Sequence, residues 1–251
     1  MPRRAPPTLS RVFWDESVGG ARFVVTERAP GVSAAPYDGL NLALHVGVDA
    51  AAVLANRAAL AAALGVAPDH VVYVEQVHGD TVLQVDGPLT GPSPQADGLV
   101  TTTPGLALAM MVADCVPVLL ADPVAGVAGA AHAGRKGMVA GVARRVAAAM
   151  RDLGARDITA RLGPSVCPRC YPVPLELREQ AAAAHPEARS VDRHGRPAID
   201  VAAGVLAQLA PLCGDVDQLT GCTAQDPRLY SYRRDGATGR FVGAVVLDPA
   251  R

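Results

Sequence analysis

Between residues 106 and 131 the chain carries three nearly continuous apolar runs, 106–112, 116–120 and 126–131, with no polar alternation. Strands of that kind are covered on both faces, so these runs predict the interior of a central sheet. Shorter β-branched runs at 22–26, 71–74, 81–85 and 98–102, each bounded by turn residues, predict further strands. So do 158–162, leading into Gly163-Pro164, and 241–247 near the C-terminus. A helical period begins after Asp49, a capping residue, where Val53, Leu54, Leu60 and Leu64 mark one face before Gly65 stops it. Val139, Val142, Val146 and Met150 predict a helix over 137–153, and two more are expected at 175–184 and 201–212. Residues 34–47 read as a loop holding Asn41 and His45 among Gly and Pro turn formers.

At 251 residues, 50% hydrophobic and 19% charged, the chain can bury one substantial core, and no repeat or linker divides it. The expectation is a single mixed α/β domain of the α+β class at 21–251, its central, largely buried sheet flanked by helices, after a flexible tail at 1–20. Lys and Arg total 23 against 24 Asp and Glu, leaving no cationic excess for a phosphate backbone, so no nucleic-acid partner is expected. The longest apolar stretch, 106–113, is far short of a membrane span. The basic start, Arg3 and Arg4 among prolines, lacks the apolar segment of a secretory signal. Five cysteines, an odd number in a chain too large to depend on disulfides, fit a reducing, cytoplasmic location. Oligomeric state is left open.

Three chemistry-bearing residues stand at the ends of expected strands beside small neighbours: His78 before Gly79, Cys115 after Asp114, and His132 between Ala131 and Ala133. Each also has a plain structural reading, because a buried Cys packs as a small apolar residue and a strand-end His is commonly satisfied by a carbonyl. Two imidazoles and a thiolate converging would suit Zn²⁺, with the fourth position open for catalysis.

The motifs Gln76-Val77-His78-Gly79, Ala113-Asp114-Cys115-Val116-Pro117, Ala131-His132-Ala133-Gly134, Gly163-Pro164 and Ser231-Tyr232-Arg233-Arg234-Asp235-Gly236 occur in order. In this the chain resembles the YfiH-like family, also called the laccase-domain family, from about Tyr37 to Leu247. The resemblance implies zinc at His78, Cys115 and His132, which are also the expected catalytic residues. It implies phosphorolysis of purine nucleosides such as adenosine, inosine and methylthioadenosine, with inorganic phosphate as co-substrate, together with adenosine deamination. Zinc suits the latter by lowering the pKa of water that attacks C6 of adenine. Where the family usually has Trp-Arg-Gly after His-Ala-Gly, this chain has Arg135, Lys136 and Gly137, and Pro172 stands where Glu is common.

Matches to family motifs nominate Arg57 to grip phosphate and Asn41 to bind sugar or phosphate, while the Gln76 amide suits a base edge or a bracing role near His78. Asp114 is expected to play a supporting part, Arg233, Arg234 and Asp235 to form an ion-pair turn, and His45 and Tyr37 to stand at the pocket mouth. Cys167 and Cys170 read as a reversible disulfide or as ordinary loop cysteines, since a second structural zinc needs two more ligands and only Cys213, Cys222 or distant histidines remain to supply them. Three other functions stay in view. Copper oxidation of polyphenols fits a His₂Cys set, although six histidines are too few for mononuclear and trinuclear centres together. A metal-free hydrolase acting on cell-wall precursors would use Cys115 as nucleophile, and a zinc-stabilised binding module would want a fourth protein ligand.

Overall fold

In the computed structural model, which describes residues 9, 12–47 and 49–249, the apolar runs are divided between two stacked sheets, where the sequence pattern alone suggests one. The first part of the chain forms β1 (Trp14–Val18), β2 (Ala21–Val25), α1 (Ala50–Leu64), β3 (Val71–Val72), β4 (Val82–Gln84) and β5 (Gly98–Thr101). The middle forms β6 (Ala107–Val112), β7 (Val116–Asp122), β8 (Val127–Ala133), α2 (Arg135–Ala140), α3 (Val142–Asp152) and β9 (Thr159–Leu162). Then come α4 (Leu175–Ala184), β10 (Arg189–Val191), β11 (Pro197–Ile199), α5 (Val201–Leu209), β12 (Asp215–Gln218), α6 (Tyr232–Asp235) and β13 (Phe241–Leu247).

One sheet has the order β1-β2-β13-β6-β3 and the other β12-β9-β7-β8-β5-β4, with β10 and β11 as a separate hairpin. The absence of alternation has a direct cause, because each central strand is buried on both sides. In β6, Leu108 and Met110 pack with Leu119 and Ala121 of β7 between the sheets. The alternate residues Ala107, Ala109 and Met111 pack toward Leu60 and Leu64 of α1. The outer face of the six-stranded sheet is covered by α2, α3 and α5, so the layers run helix, sheet, sheet, helices. Val142, Val146 and Met150 of α3 are fully buried there, each contributing about 1.5–3 kcal/mol.

Three expectations need correcting. Trp14–Val18, assigned to a flexible tail, pairs with β2 from Trp14↔Val25 to Val18↔Ala21; its half-polar sequence suits an edge strand and conceals it. The helix expected over 137–153 is two, because Gly141 adopts the left-handed conformation at φ 85° and ends α2 as α3 begins. Helix α5 stops at Leu209 instead of residue 212, since Pro211 has no N–H to continue the helical hydrogen bonds, although Ala210 still has helical dihedrals. The cap predicted at Asp49 is present, its carboxylate accepting from Ala51 N at 3.0 Å.

The sheets approach closely beside the site. A Cβ at Gly243 of β13 would lie 2.7 Å from Pro117 Cβ of β7, so only glycine admits this contact.

Candidate active site

Strand register brings the ligand-bearing ends together. Pro117 pairs with His132 across β7 and β8, and Gly98 pairs with Ala131 across β5 and β8. The start of β7, the end of β8 and the start of β5 therefore meet at one end of the central strands of the six-stranded sheet, delivering Cys115, His132 and Asp97. Cys115 also lies where the chain crosses from one sheet to the other, in a bend that holds Asp114 at φ 95°. His78 arrives on the loop between β3 and β4 at φ 63°, a left-handed conformation that needs local support in a non-glycine residue.

Asp97 supplies that support. Fully buried, it accepts from the backbone N–H of Val77 at 3.1 Å, His78 at 3.0 Å and Gly79 at 2.7 Å. His132 Nδ1 lies 2.7 Å from Asp97 Oδ1, which places the proton on Nδ1 and leaves Nε2 free to coordinate. Burial opposes the charge on Asp97, yet His132 and these N–H donors hold its pKa below the ordinary carboxylate value. One carboxylate thus fixes both the loop carrying one candidate ligand and the ring of another. The sequence reading gave Asp97 no role, although an Asp directly before a fully buried run is the kind of signal that singled out the strand-end histidines.

The donor atoms of His78, Cys115 and His132 lie within 4.8 Å of one another. Cys115 Sγ and His78 Nε2 are 3.8 Å apart, near the roughly 3.6 Å expected for S and N donors on one tetrahedral zinc. The two imidazoles meet edge to face at 4.7 Å. A Cβ on Gly134 would come within 2.9 Å of His78 Cδ2 and 3.0 Å of Cys115 Sγ, so this position must be bare for the three donors to converge. Burial pushes the Cys115 thiol up, but His132 and His78 outweigh it and bring the pKa down to about 6. Burial likewise opposes charge on His132, and the Cys115 sulfur and Asp97 carboxylate raise its pKa to about 9. The donor set fits zinc.

The three donors line a cleft of about 440 Å³. Its walls include Tyr171, Tyr232, Val166 and Met111, with the side chains of Arg135, Arg233, Arg240 and His45. The Arg233 guanidinium sits 4.9 Å from the Tyr171 ring centroid. Asp114 organises this wall, accepting from Thr223 Oγ1 at 2.6 Å, Ser231 Oγ at 2.7 Å and Arg233 N at 2.6 Å. Arg234 serves the same loops by donating to the carbonyls of Thr223, Asp226 and Leu229.

The residues nominated for substrate lie elsewhere or are engaged. Arg57 stacks 3.8 Å from the Tyr73 ring centroid, donates to Leu42 O at 2.9 Å and approaches Met111 Sδ at 3.7 Å, and it is not among the residues lining the cleft. Asn41 is fully buried and its side chain is bonded to Ala43 and to Arg240 N. Both fasten the 40–43 segment, work that sequence alone does not separate from ligand binding. Gln76 borders the cleft, but its amide bonds both N and O of Met111, bracing the end of β6. His45 lines the cleft and Tyr37 is not among its lining residues.

Residues 22–248 match the family described as multi-copper polyphenol oxidoreductase laccase. A Streptomyces coelicolor protein named purine nucleoside phosphorylase is 53% identical over 93% of this chain and 98% of its own length. One of the same name from Mycobacterium tuberculosis is 50% identical, over 90% and 92%. Among solved structures, YlmD from Geobacillus stearothermophilus aligns with a TM-score of 0.85 at 30% identity, over 92% of this chain and 93% of that one. YfiH from Bacillus licheniformis aligns at 0.83 and 28%, over 91% and 93%. With its two-sheet architecture and strand-end motifs matched along nearly its whole length, the chain belongs to the YfiH-like, or laccase-domain, family.

Proposed function

We propose that this protein is a zinc-dependent purine nucleoside phosphorylase, acting on nucleosides such as adenosine, inosine and methylthioadenosine, with a secondary adenosine deaminase activity. The observation that carries this reading is the convergence of His78, Cys115 and His132 at a cleft lined by Arg135, Arg233 and Arg240. The names of the relatives support it. In phosphorolysis a phosphate oxygen bonds to C1′ of the ribose, the C1′–N9 bond breaks, and the purine leaves with a proton. Arg233 and Arg240 are assigned to the phosphate, whose charge and paired oxygens suit guanidinium donors. Tyr171 and Tyr232 offer ring faces to the purine, while His78, Cys115 and His132 are assigned as metal ligands. Bound zinc would supply Lewis acidity, acidifying water for attack on adenine C6. Zinc deaminases add a free carboxylate as proton carrier. Here the carboxylate lining the cleft is Asp114, already engaged by three donors, which favours phosphorolysis as the main reaction.

A metal-free thiol hydrolase is the second reading, favoured by the low pKa of Cys115 beside His132. One experiment addresses both. Protein purified without a metal-binding tag is analysed for zinc and copper, then incubated with adenosine with and without phosphate. Adenine released only with phosphate, and lost on chelation, is the expected result. Activity that survives chelation and ends on alkylation would support the hydrolase, and copper without purine turnover would revive polyphenol oxidation.

A further inference from the structure

Outside the catalytic cleft, Cys167, Cys170 and Cys222 bring their sulfurs within 4.8 Å of one another. Sequence spacing alone leaves Cys213, Cys222 and distant histidines as candidates to join Cys167 and Cys170, and folding brings in Cys222, 55 residues from Cys167. We propose that these three sulfurs form a second metal site, for one soft, thiophilic cation, zinc(II) or copper(I), that clamps the segments forming one wall of the catalytic cleft. The inference does not depend on the nucleoside reading.

Local structure prepares the three sulfurs. Cys167 and Cys170 flank a single 3₁₀ turn closed by Cys170 N donating to Cys167 O at 2.9 Å, at the Cys-x-x-Cys spacing used by zinc ligand pairs. Cys222 is held alongside by a parallel bridge to Ser165 and by Thr223 N donating to Ser165 O at 3.1 Å. Two N–H donors already point at the sulfurs. Cys167 N–H points at Cys222 Sγ, 3.3 Å away, and Arg193 Nη2 lies 3.0 Å from Cys170 Sγ. A divalent cation together with the Arg193 guanidinium would balance three thiolates, and loading would release the three thiol protons to solvent. Soft thiolate sets select zinc and copper(I) over the hard cations. Among the described residues no fourth Cys, His, Asp or Glu donor joins the set at this spacing. Cys167 and Cys222 open onto a second cleft of about 540 Å³, which gives an ion a way in and leaves a fourth coordination position to solvent.

Each cysteine is next in sequence to a residue of the catalytic wall. Val166, before Cys167, lines the catalytic cleft and donates its N–H to Asp114 O at 3.0 Å. Tyr171, after Cys170, lies against Arg233. Thr223, after Cys222, donates its hydroxyl to the Asp114 carboxylate. An ion shared by the three sulfurs would therefore tie together the supports of Asp114, Tyr171 and Arg233.

The test uses untagged full-length protein, reduced, then loaded in separate arms with zinc or with copper(I) and freed of excess. Wild type should retain two ions per chain in at least one arm, and Cys222→Ser and Cys115→Ser one each. X-ray absorption of the ion left in Cys115→Ser should show sulfur without imidazole neighbours. Cation should also slow alkylation of Cys167, Cys170 and Cys222 in the wild type at least tenfold by mass spectrometry, a readout that survives if a variant fails to fold. Retention of a single ion in both arms that Cys115→Ser loses and Cys222→Ser keeps, equal alkylation with and without cation, or a disulfide within the trio after reduction would overturn the proposal. Failure of the catalytic-site assignment reads differently, as one ion lost from Cys222→Ser and none from Cys115→Ser.

Discussion

Two aspartates flank the candidate metal centre, and each gathers hydrogen bonds from segments remote in sequence, yet they control different things. Asp97 is fully buried and bonds the backbone under His78 and the ring of His132. Asp114 is partly exposed and bonds two hydroxyls and the N–H of Arg233, all on the wall. The first sets where the ligands are; the second sets where the arginine-bearing loop is. Metal affinity and substrate recognition are therefore separable by mutation, although Asp97 bonds the ring of one candidate ligand and Asp114 is next in sequence to another.

Asp97→Asn should give the largest effect. Its amide would present donors where Val77 and Gly79 N–H now find Oδ2. Metal affinity should fall about 10- to 100-fold and stability by about 3 kcal/mol, read by chelator competition and urea denaturation. Metal affinity equal to wild type would break the comparison. Asp114→Asn should keep its full metal content while KM for phosphate rises about tenfold, equivalent to about 1.4 kcal/mol, because Arg233 loses its backbone anchor. Loss of metal from this variant would merge the two roles.

A third aspartate calibrates the purely structural share. Asp122, buried and far along β7, accepts from Ala125 N at 3.0 Å, Arg156 N at 2.7 Å and Asp157 N at 2.9 Å. Burial opposes its charge, but these donors hold its pKa below the ordinary value. Such a group stabilises fully above its unfolded pKa of about 3.9 and loses that contribution as pH falls through the lower folded value. Asp122→Asn should thus cost about 1–3 kcal/mol at neutral pH, a difference from wild type that shrinks in acid unfolding titrations, with kcat/KM unchanged. The smallest effect is expected from Arg57→Lys, which should leave KM for phosphate within about twofold and lower stability by about 1 kcal/mol through the lost Tyr73 stack. A large rise in KM would return Arg57 to the phosphate site.

The sequence carried the elements better than their assembly. Apolar runs located β6, β7 and β8 because burial on both faces leaves a direct mark on composition, and motif order pointed to His78, Cys115 and His132. It did not reveal the division into two sheets, because a strand between two apolar layers reads the same whether its neighbour above is a sheet or a helix. Nor did it reveal Arg57 and Asn41 as fasteners: a guanidinium over Tyr73 and one over a ligand need the same residue. Arg240 and Cys222 join their sites only through the return of distant segments, which local spacing does not encode.

The register that pairs Pro117 with His132 and Gly98 with Ala131 also has a bearing on time. The centre's three donors belong to no single turn or hairpin, so a chain in which β5, β7 and β8 have not yet met offers a cation only scattered side chains. During refolding, capture of an ion there would act as a clock, marking when the β5–β8 and β7–β8 pairings and the His78 loop are in place.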